Sequence, residues 1–276
     1  MFIDPDFGWH LKVGELILSS GIPVTDPFSY TMPSYPFVDH EWFVDMIFAG
    51  VFPLIGQTGL AFLFALFAIS SLIISFVTIP KKARVFALVP VFLTGMGLSL
   101  AVGVRPQVIT WVFFTGLLVI LRVPGVFERW RWILPILFFA WANLHGGFAV
   151  GIAALLLAFI VRSMQAKRIL WKDSFLFIFC LATTFATPYH VHLWREIWMS
   201  MSDGHLRWTI QEWMPAFFFP KMTLWAFIVL SLFFVWKAHK KLLLFDVLLF
   251  AGLLIGALSS IRHIPLWFLI ALPVTT

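Results

Sequence analysis

The chain begins with two carboxylates on either side of a proline. Asp4 and Asp6 flank Pro5, which restricts the backbone between them. Two carboxylates at this spacing suit a divalent cation such as Mg²⁺ or Mn²⁺, or allow one of them to act as a general base. An Asp-x-Asp pair is also typical of a simple turn. The pair is therefore a candidate catalytic or metal site, with a turn as the alternative.

Further polar residues stand in the short segments between apolar runs. Arg105 and Arg262 are candidate phosphate ligands, because a guanidinium grips phosphate at two points and stays charged in partly apolar surroundings. Snorkelling to lipid phosphates is the other reading of each arginine. Glu212 next to Trp213 suits a sugar, whose ring the indole can stack on, or a plain surface anchor. The candidate substrate-binding residues are His40, Glu41, Arg105, Asn143, His145, Glu212, Arg262 and His263.

Asn143 and His145 lie at an expected reversal between two apolar runs. Gly146 and Gly147 follow directly, and glycines permit the backbone angles of a sharp turn. His145 therefore either lines a ligand site or only caps the turn.

Composition indicates the elements that must position these residues. Hydrophobic residues make up 61% of the chain and charged residues only 12%, against about 25% charged residues in a soluble domain. The apolar runs are continuous, not alternating as in a membrane β-barrel. The predicted fold class is all-α, a polytopic transmembrane helical bundle with an amino-terminal extracytoplasmic segment that contains short amphipathic helices. The runs are 57–79, 85–103, 107–121, 132–144, 148–161, 175–186, 224–236, 242–258 and 264–273, and the length allows about eight to ten crossings.

Lysine and arginine occupy every second connection between these runs. Such connections remain in the cytoplasm during membrane insertion, so the net charge of +6 follows from topology and no nucleic-acid partner is expected. The candidate site residues then all fall on the extracytoplasmic side, although they were not used to assign it. The basic connections contain Lys81, Lys82 and Arg84; Arg122, Arg129 and Arg131; Arg162, Lys167, Arg168 and Lys172; and Lys237, Lys240 and Lys241.

The chain is interpreted as one transmembrane domain, 1–276. Within it we expect an extracytoplasmic acidic segment, a helical bundle, an extracytoplasmic loop and carboxyl-terminal helices, at 1–42, 57–186, 187–221 and 222–276. Residues 11–18 have helical apolar spacing with Gly21 behind them, which predicts a short amphipathic helix on the membrane surface. The two outward segments are long enough to roof a cavity.

Several short motifs resemble those of the GT-C superfamily, polytopic membrane glycosyltransferases that use sugars linked to polyprenyl phosphates. The acidic segment is similar to the first extracytoplasmic loop of these enzymes, and the resemblance extends over most of the chain. The motifs are Asp4-Pro5-Asp6-Phe7-Gly8-Trp9-His10, Arg105-Pro106, Trp141-Ala142-Asn143-Leu144-His145-Gly146-Gly147-Phe148, Thr187-Pro188-Tyr189, Gln211-Glu212-Trp213-Met214-Pro215 and Arg262-His263-Ile264-Pro265.

The resemblance implies a transferase that moves a sugar from a polyprenyl-phosphate carrier to an extracytoplasmic acceptor, with inversion. It implies that Asp6, with Asp4 as second choice, serves catalysis, and that Mg²⁺ or Mn²⁺ is the cofactor if there is one. The expected location is the bacterial cytoplasmic membrane, in contact with membrane lipids. Superfamily members carry a membrane helix before the acidic loop, so we expect that this sequence lacks its native first helix. Its end at Thr276, within an apolar run, predicts truncation there too.

Two other classes of function remain open. A lipid or solute transporter or flippase would use the same cavity without chemistry, but transporters usually have internal repeats and ionisable residues in mid-membrane. The sequence has no clear repeat and few charges within its apolar runs. The remaining alternative is a non-catalytic subunit of a cell-envelope complex, with the outward segments as its docking surface.

Overall fold

The computed structural model describes residues 6–32, 34–99, 101–219 and 222–276. Over these residues the chain is all-helical, with one isolated β-bridge between Thr25 and Pro36 and no strand. This confirms the all-α class. The α-helices are α1 (Phe7–Ser20), α2 (Trp42–Val77), α3 (Leu88–Ser99), α4 (Gln107–Arg122), α5 (Val126–Trp130), α6 (Leu134–Leu144), α7 (Phe148–Ala166), α8 (Trp171–Thr183), α9 (Val191–Ser202), α10 (Gly204–Thr209), α11 (Met222–Ala238), α12 (Leu244–Ser259) and α13 (Ile264–Thr275).

Helix α1 is the short helix that the sequence predicts, extended at both ends. It buries Val13 and Ile17 on one face. The helix ends at Ser20, and the next residue, Gly21, has a φ of 87°, which residues with a side chain rarely adopt. Its close partner is α2. At Gly14 the two backbones approach so closely that a Cβ there would overlap the carbonyl group of Asp45.

Helix α2 is longer than the sequence indicates. The apolar run was expected to begin at residue 57, but the helix begins at Trp42 and continues to Val77 through a break at Gly56, where φ is 61°. The first half was missed because Asp45, Pro53 and Gly56 interrupt its apolar pattern. An 18-residue window of α2 has a mean hydropathy of 2.6, and only 28% of the residues in this window are buried inside the protein.

Two described helices, α2 and α7, are long and apolar enough to cross a membrane, and they indicate a membrane protein. A third crossing is added if α4 and the segment Val126–Leu144, which bend by 117° at their junction, count as one broken span. The other expected runs form shorter helices. Exposed apolar side chains cover α2, among them Leu54 and Phe62, and a surface of this kind suits contact with lipid.

The carboxyl-terminal helix α13 forms the centre of the packing. Its side chains from Pro265 to Val274 are buried, and α13 contacts α2, α3, α4, α11 and α12. The ring of Trp267 lies against Phe227 and Phe250, and the Ser75 hydroxyl of α2 donates a hydrogen bond of 2.6 Å to the carbonyl of Leu269.

At one end of the bundle an arginine joins three helices. Arg122, the last residue of α4, binds Asp246 of α12 through two nitrogens at 2.8 and 3.0 Å. Its remaining terminal nitrogen donates to the Thr78 hydroxyl beyond α2 at 2.7 Å. Arg122 and Asp246 are both buried, although the sequence assigns Arg122 to an ordinary basic connection.

The approach of α1 to α2 can be tested with two glycines of the same helix. We expect Gly14→Ala to lower the free energy of unfolding by about 1–3 kcal/mol, because its methyl group displaces the α2 backbone. Gly8→Ala meets no atom within 4 Å and is expected to stabilise α1 by less than about 1 kcal/mol. Thermal unfolding in detergent measures both, and equal effects would contradict the close approach.

The Arg122–Asp246 pair is expected to be a strong contributor to stability. Asp246→Ala leaves a buried guanidinium unpaired, which costs about 3–5 kcal/mol. Glu15→Ala removes the exposed pair with Lys12 and should cost less than about 1 kcal/mol. Denaturant titration in detergent distinguishes the two, and a small effect of Asp246→Ala would show that the end of α4 is held by other contacts.

Candidate functional site

A carboxylate surrounded by three imidazoles lies at the opposite end of the bundle. Glu41, directly before α2, is buried, and its Oε2 lies 3.5 Å from His10 Nε2. The Oε1 atom lies 3.2 Å from His145 Nε2 and 3.6 Å from His40 Nε2. These residues come from α1, the start of α2 and the turn between α6 and α7, so one side chain joins three parts of the fold.

His10 is held from behind by a second acid. Its Nδ1 lies 2.8 Å from Oδ1 of Asp45, which is fully buried in the first turn of α2. Asp39 completes the group, since its Oδ1 accepts a 2.9 Å hydrogen bond from the Glu41 backbone N–H. The sequence analysis did not select His10 or Asp45. The available signal was spacing, because Glu41 and Asp45 are four residues apart and therefore share a helix face.

The orientation of His145 follows from its neighbours. The backbone N–H of Gly147 donates to His145 Nδ1 at 2.8 Å, so the ring proton is on Nε2, which faces Glu41. The Thr110 hydroxyl lies 2.7 Å from the same Nδ1, and it accepts a 2.8 Å hydrogen bond from Trp141. Nδ1 of His145 is therefore hydrogen-bonded within the protein, while its buried Nε2 lies 3.2 Å from Glu41 Oε1 without a hydrogen bond of good geometry.

Two members of the cluster, His10 and Glu41, carry opposite charges at neutral pH. Burial would lower the pKa of His10, but the hydrogen bond that His10 donates to Asp45 and the charges of Glu41, Asp45 and Asp39 raise it to about 9. Burial would raise the pKa of Glu41, but the imidazoles of His40, His145 and His10 hold it well below its usual range. At neutral pH, His10 is thus a cation and Glu41 an anion.

The two other imidazoles of the cluster, His40 and His145, are neutral at neutral pH. Burial lowers the pKa of His40 to about 4 and also lowers the pKa of His145, although Glu41 opposes both shifts. Burial and the charge of Asp45 raise the pKa of Asp39 well above its usual range.

A cavity of about 280 Å³ lies beside this cluster. One part of its wall is polar and contains one carboxylate as well as one guanidinium, with His40, Gln107, Thr110, His145, Glu196, Ser200, Arg262 and His263. The rest is mainly apolar and is contributed by α4, α7, α9, α10 and α13, and it includes Trp111, Val150, Ile197, Met201, Leu206, Ile210 and Leu266. The cavity therefore suits a ligand with a polar head and an apolar body.

Arg262 is the cation of the polar wall. Its guanidinium lies 5.2 Å from the ring centre of Trp213, which is a cation–π contact. No carboxylate of the described residues lies within salt-bridge distance of it, but Glu41 and Asp6 attract it and Arg105 repels it at longer range. Next to it, Nδ1 of His263 is buried without a hydrogen-bond partner among the described residues. An anion in the cavity would give the Arg262 guanidinium a partner of opposite charge.

The other expected site residues have different surroundings. Asp6 is exposed directly before α1, and Asp4 lies outside the described residues. Arg105 forms an ion pair with Glu212, and neither residue lines the cavity. Asn143 also lies outside its wall, where it accepts a hydrogen bond from Trp42 at 3.2 Å and donates to two backbone carbonyls.

The expected cation site at Asp4 and Asp6 stays a prediction. Throughout the described part of the chain, no group of three or more His, Cys, Asp and Glu side chains is arranged to hold a metal ion.

Comparison with protein-family models, curated proteins and solved structures finds no match to this chain.

The charge on His10 predicts a pH dependence of stability. Its pKa is 6.5 when exposed and about 9 in the fold, so the stabilisation is fully present below pH 6.5 and is lost as the pH rises through 9. We expect His10→Gln to cost about 3–5 kcal/mol at pH 6, because Glu41 and Asp45 lose their cation. The difference from wild type should shrink by pH 9.5. Unfolding at several pH values measures it, with exposed His192→Gln as control, and a difference that grows with pH would refute the assignment.

Proposed function

We propose that the chain is a membrane glycosyltransferase that takes a sugar from a polyprenyl-phosphate carrier and passes it to an extracytoplasmic acceptor. The observation that carries the proposal is the cavity, where an apolar wall and Arg262 meet in one space. The motifs that resemble the GT-C superfamily support the same conclusion independently.

The cavity matches the two parts of such a donor. Each methylene group of an isoprenoid chain that leaves water gains about 0.8 kcal/mol, and the side chains of Ile197, Met201 and Leu266 offer such an apolar surface. A phosphate head needs a cation that does not lose its charge on burial, which suits a guanidinium. Arg262 stacked on Trp213 meets this requirement, and His263 beside it offers a further polar atom.

The proposal includes a topology. We place the cavity end of the bundle outside the cytoplasm and the end marked by Arg122 and Asp246 inside, with several crossings of the bacterial cytoplasmic membrane. The basic connections support this orientation, because Lys and Arg favour the cytoplasmic side. The amino-terminal segment with α1 then lies at the outer surface, where acceptors are available. The superfamily resemblance points to Asp6, with Asp4, as the functional acidic pair, and to Mg²⁺ or Mn²⁺ as the cation that this pair would bind.

Binding of farnesyl phosphate tests the cavity directly. We expect the purified protein to bind farnesyl phosphate more tightly than farnesol, and Arg262→Gln to weaken farnesyl phosphate by roughly ten- to a hundredfold, since a charge-assisted contact is worth about 1.5–3 kcal/mol. Arg195→Gln, on the exposed face of α9, is the matched control and should leave the affinity unchanged. Calorimetry in detergent measures the affinity of the wild type for both ligands and that of each variant for farnesyl phosphate. Equal binding of farnesol and farnesyl phosphate would remove the basis of the proposal.

Transfer itself is tested in proteoliposomes with a panel of radiolabelled polyprenyl-phosphate hexoses. Release of polyprenyl phosphate together with a labelled acceptor product supports the transferase. Movement of intact donor between leaflets without cleavage would instead favour the flippase alternative.

A further inference from the structure

Among the three histidines around Glu41, His40 is the most exposed, with 36% of its side-chain surface accessible, and it lines the cavity. The nitrogens of His10 face Asp45 and Glu41, and those of His145 are buried toward Gly147 and Glu41. His40 makes no hydrogen bond among the described residues.

Glu41 stands behind His40 in the arrangement of a base and its orienting acid. Nε2 of His40 lies 3.6 Å from Glu41 Oε1, so the other ring nitrogen is available to a ligand. A carboxylate in this position stabilises the imidazolium that forms when the ring takes a proton, without becoming protonated itself. His10 helps to keep Glu41 ionised for this role.

The space for the ring is provided by a glycine. A Cβ at Gly146 would lie 3.0 Å from Cδ2 of His40, so Gly146 allows the imidazole to sit against the turn between α6 and α7. The His145 ring centre lies 6.0 Å from that of His40. The ring is thus placed by packing, while its nitrogens remain unused.

We propose that His40, with Glu41 behind it, is the proton acceptor of this cavity and acts beside a donor phosphate held at Arg262. The proposal rests on the proposed function, since it names the group that activates the acceptor. It assigns the base to His40 in place of the expected Asp6, which lies outside the cavity wall.

The transfer step balances with these groups alone. The O–H bond of the acceptor hydroxyl breaks, and its proton moves to the free ring nitrogen of His40. The hydroxyl oxygen forms the new bond to the anomeric carbon of the sugar. The bond from that carbon to the phosphate oxygen breaks, and the phosphate leaves with the electron pair toward Arg262. No oxidant or reductant is needed.

The electrostatics of the cavity relate the pKa of His40 to the bound donor. Burial lowers the pKa of His40 to about 4; Glu41 opposes this shift, and His145, Arg262 and His10 add to it. A phosphate at Arg262 offsets the charge of that guanidinium, which removes one of the contributions that lower the pKa of His40. A base with a pKa near the working pH is the most effective.

Modification by diethylpyrocarbonate tests the assignment without any substrate, because this reagent acylates neutral, accessible imidazoles. We measure the rate at each histidine of the full chain by mass spectrometry at pH 7.5 and pH 5.5. His192, an exposed histidine of α9, serves as the reference for an imidazole at the protein surface.

The expected result is that His40 reacts at least tenfold faster than His145 and loses less than half of its rate at pH 5.5. With farnesyl phosphate bound, the remaining rate of His40 modification should fall steeply below pH 7. A His40 rate no greater than that of His145, or one that follows His192 in the free protein, would overturn the proposal.

The pH profile of transfer gives the second readout. With the donor that the wild type uses, His40→Gln should lower kcat by about 10²–10⁴ and remove the acidic limb of the profile. His192→Gln should keep the wild-type profile. If the wild type transfers the sugar and His40→Gln is equally active, the assignment of the base is overturned. Absence of transfer in the wild type would count against the proposed function instead, and the modification rates would still decide whether His40 is the titrating group.

Discussion

The structure around the candidate site depends on the burial of one negative charge, the carboxylate of Glu41. An ionised carboxylate removed from water costs several kcal/mol unless cations and hydrogen bonds replace the lost hydration. Glu41 meets this demand with His10, and His10 remains charged because Asp45 holds its other nitrogen. His10 reaches both acids only if α1 lies directly on α2, which is possible because Gly14 has no side chain. The position of α1 is therefore an electrostatic requirement as much as a packing one.

Buried ion pairs lie at both ends of the bundle, and the middle of the bundle is apolar. Arg122 and Asp246 join α4 to α12 at one end, while His10, Glu41 and Asp45 join α1 to α2 at the other. Between them the contacts are mostly aromatic and aliphatic, as around α13. In a membrane this separation is favourable, because charges near the interface are less costly than charges at the centre.

Much of the fold class and part of the site follow from the sequence alone. Long continuous apolar runs predict helices, and the segments between these runs bring His40, His145, Arg262 and His263 to one cavity. The pairing of His10 with Asp45 was not predictable in this way, because 35 residues separate them and only packing decides which helix faces meet.

The two arginines that the sequence treats as equivalent differ in their surroundings. Arg105 is paired with Glu212, so its charge is already balanced within the protein. Arg262 rests on an aromatic face, which stabilises a cation without neutralising it. An arginine held in this way remains a cation, and its charge is one of the smaller contributions, after burial, that lower the pKa of His40. In the proposed reaction the same residue would bind the donor and influence the base, so binding and proton transfer would be linked without a moving part.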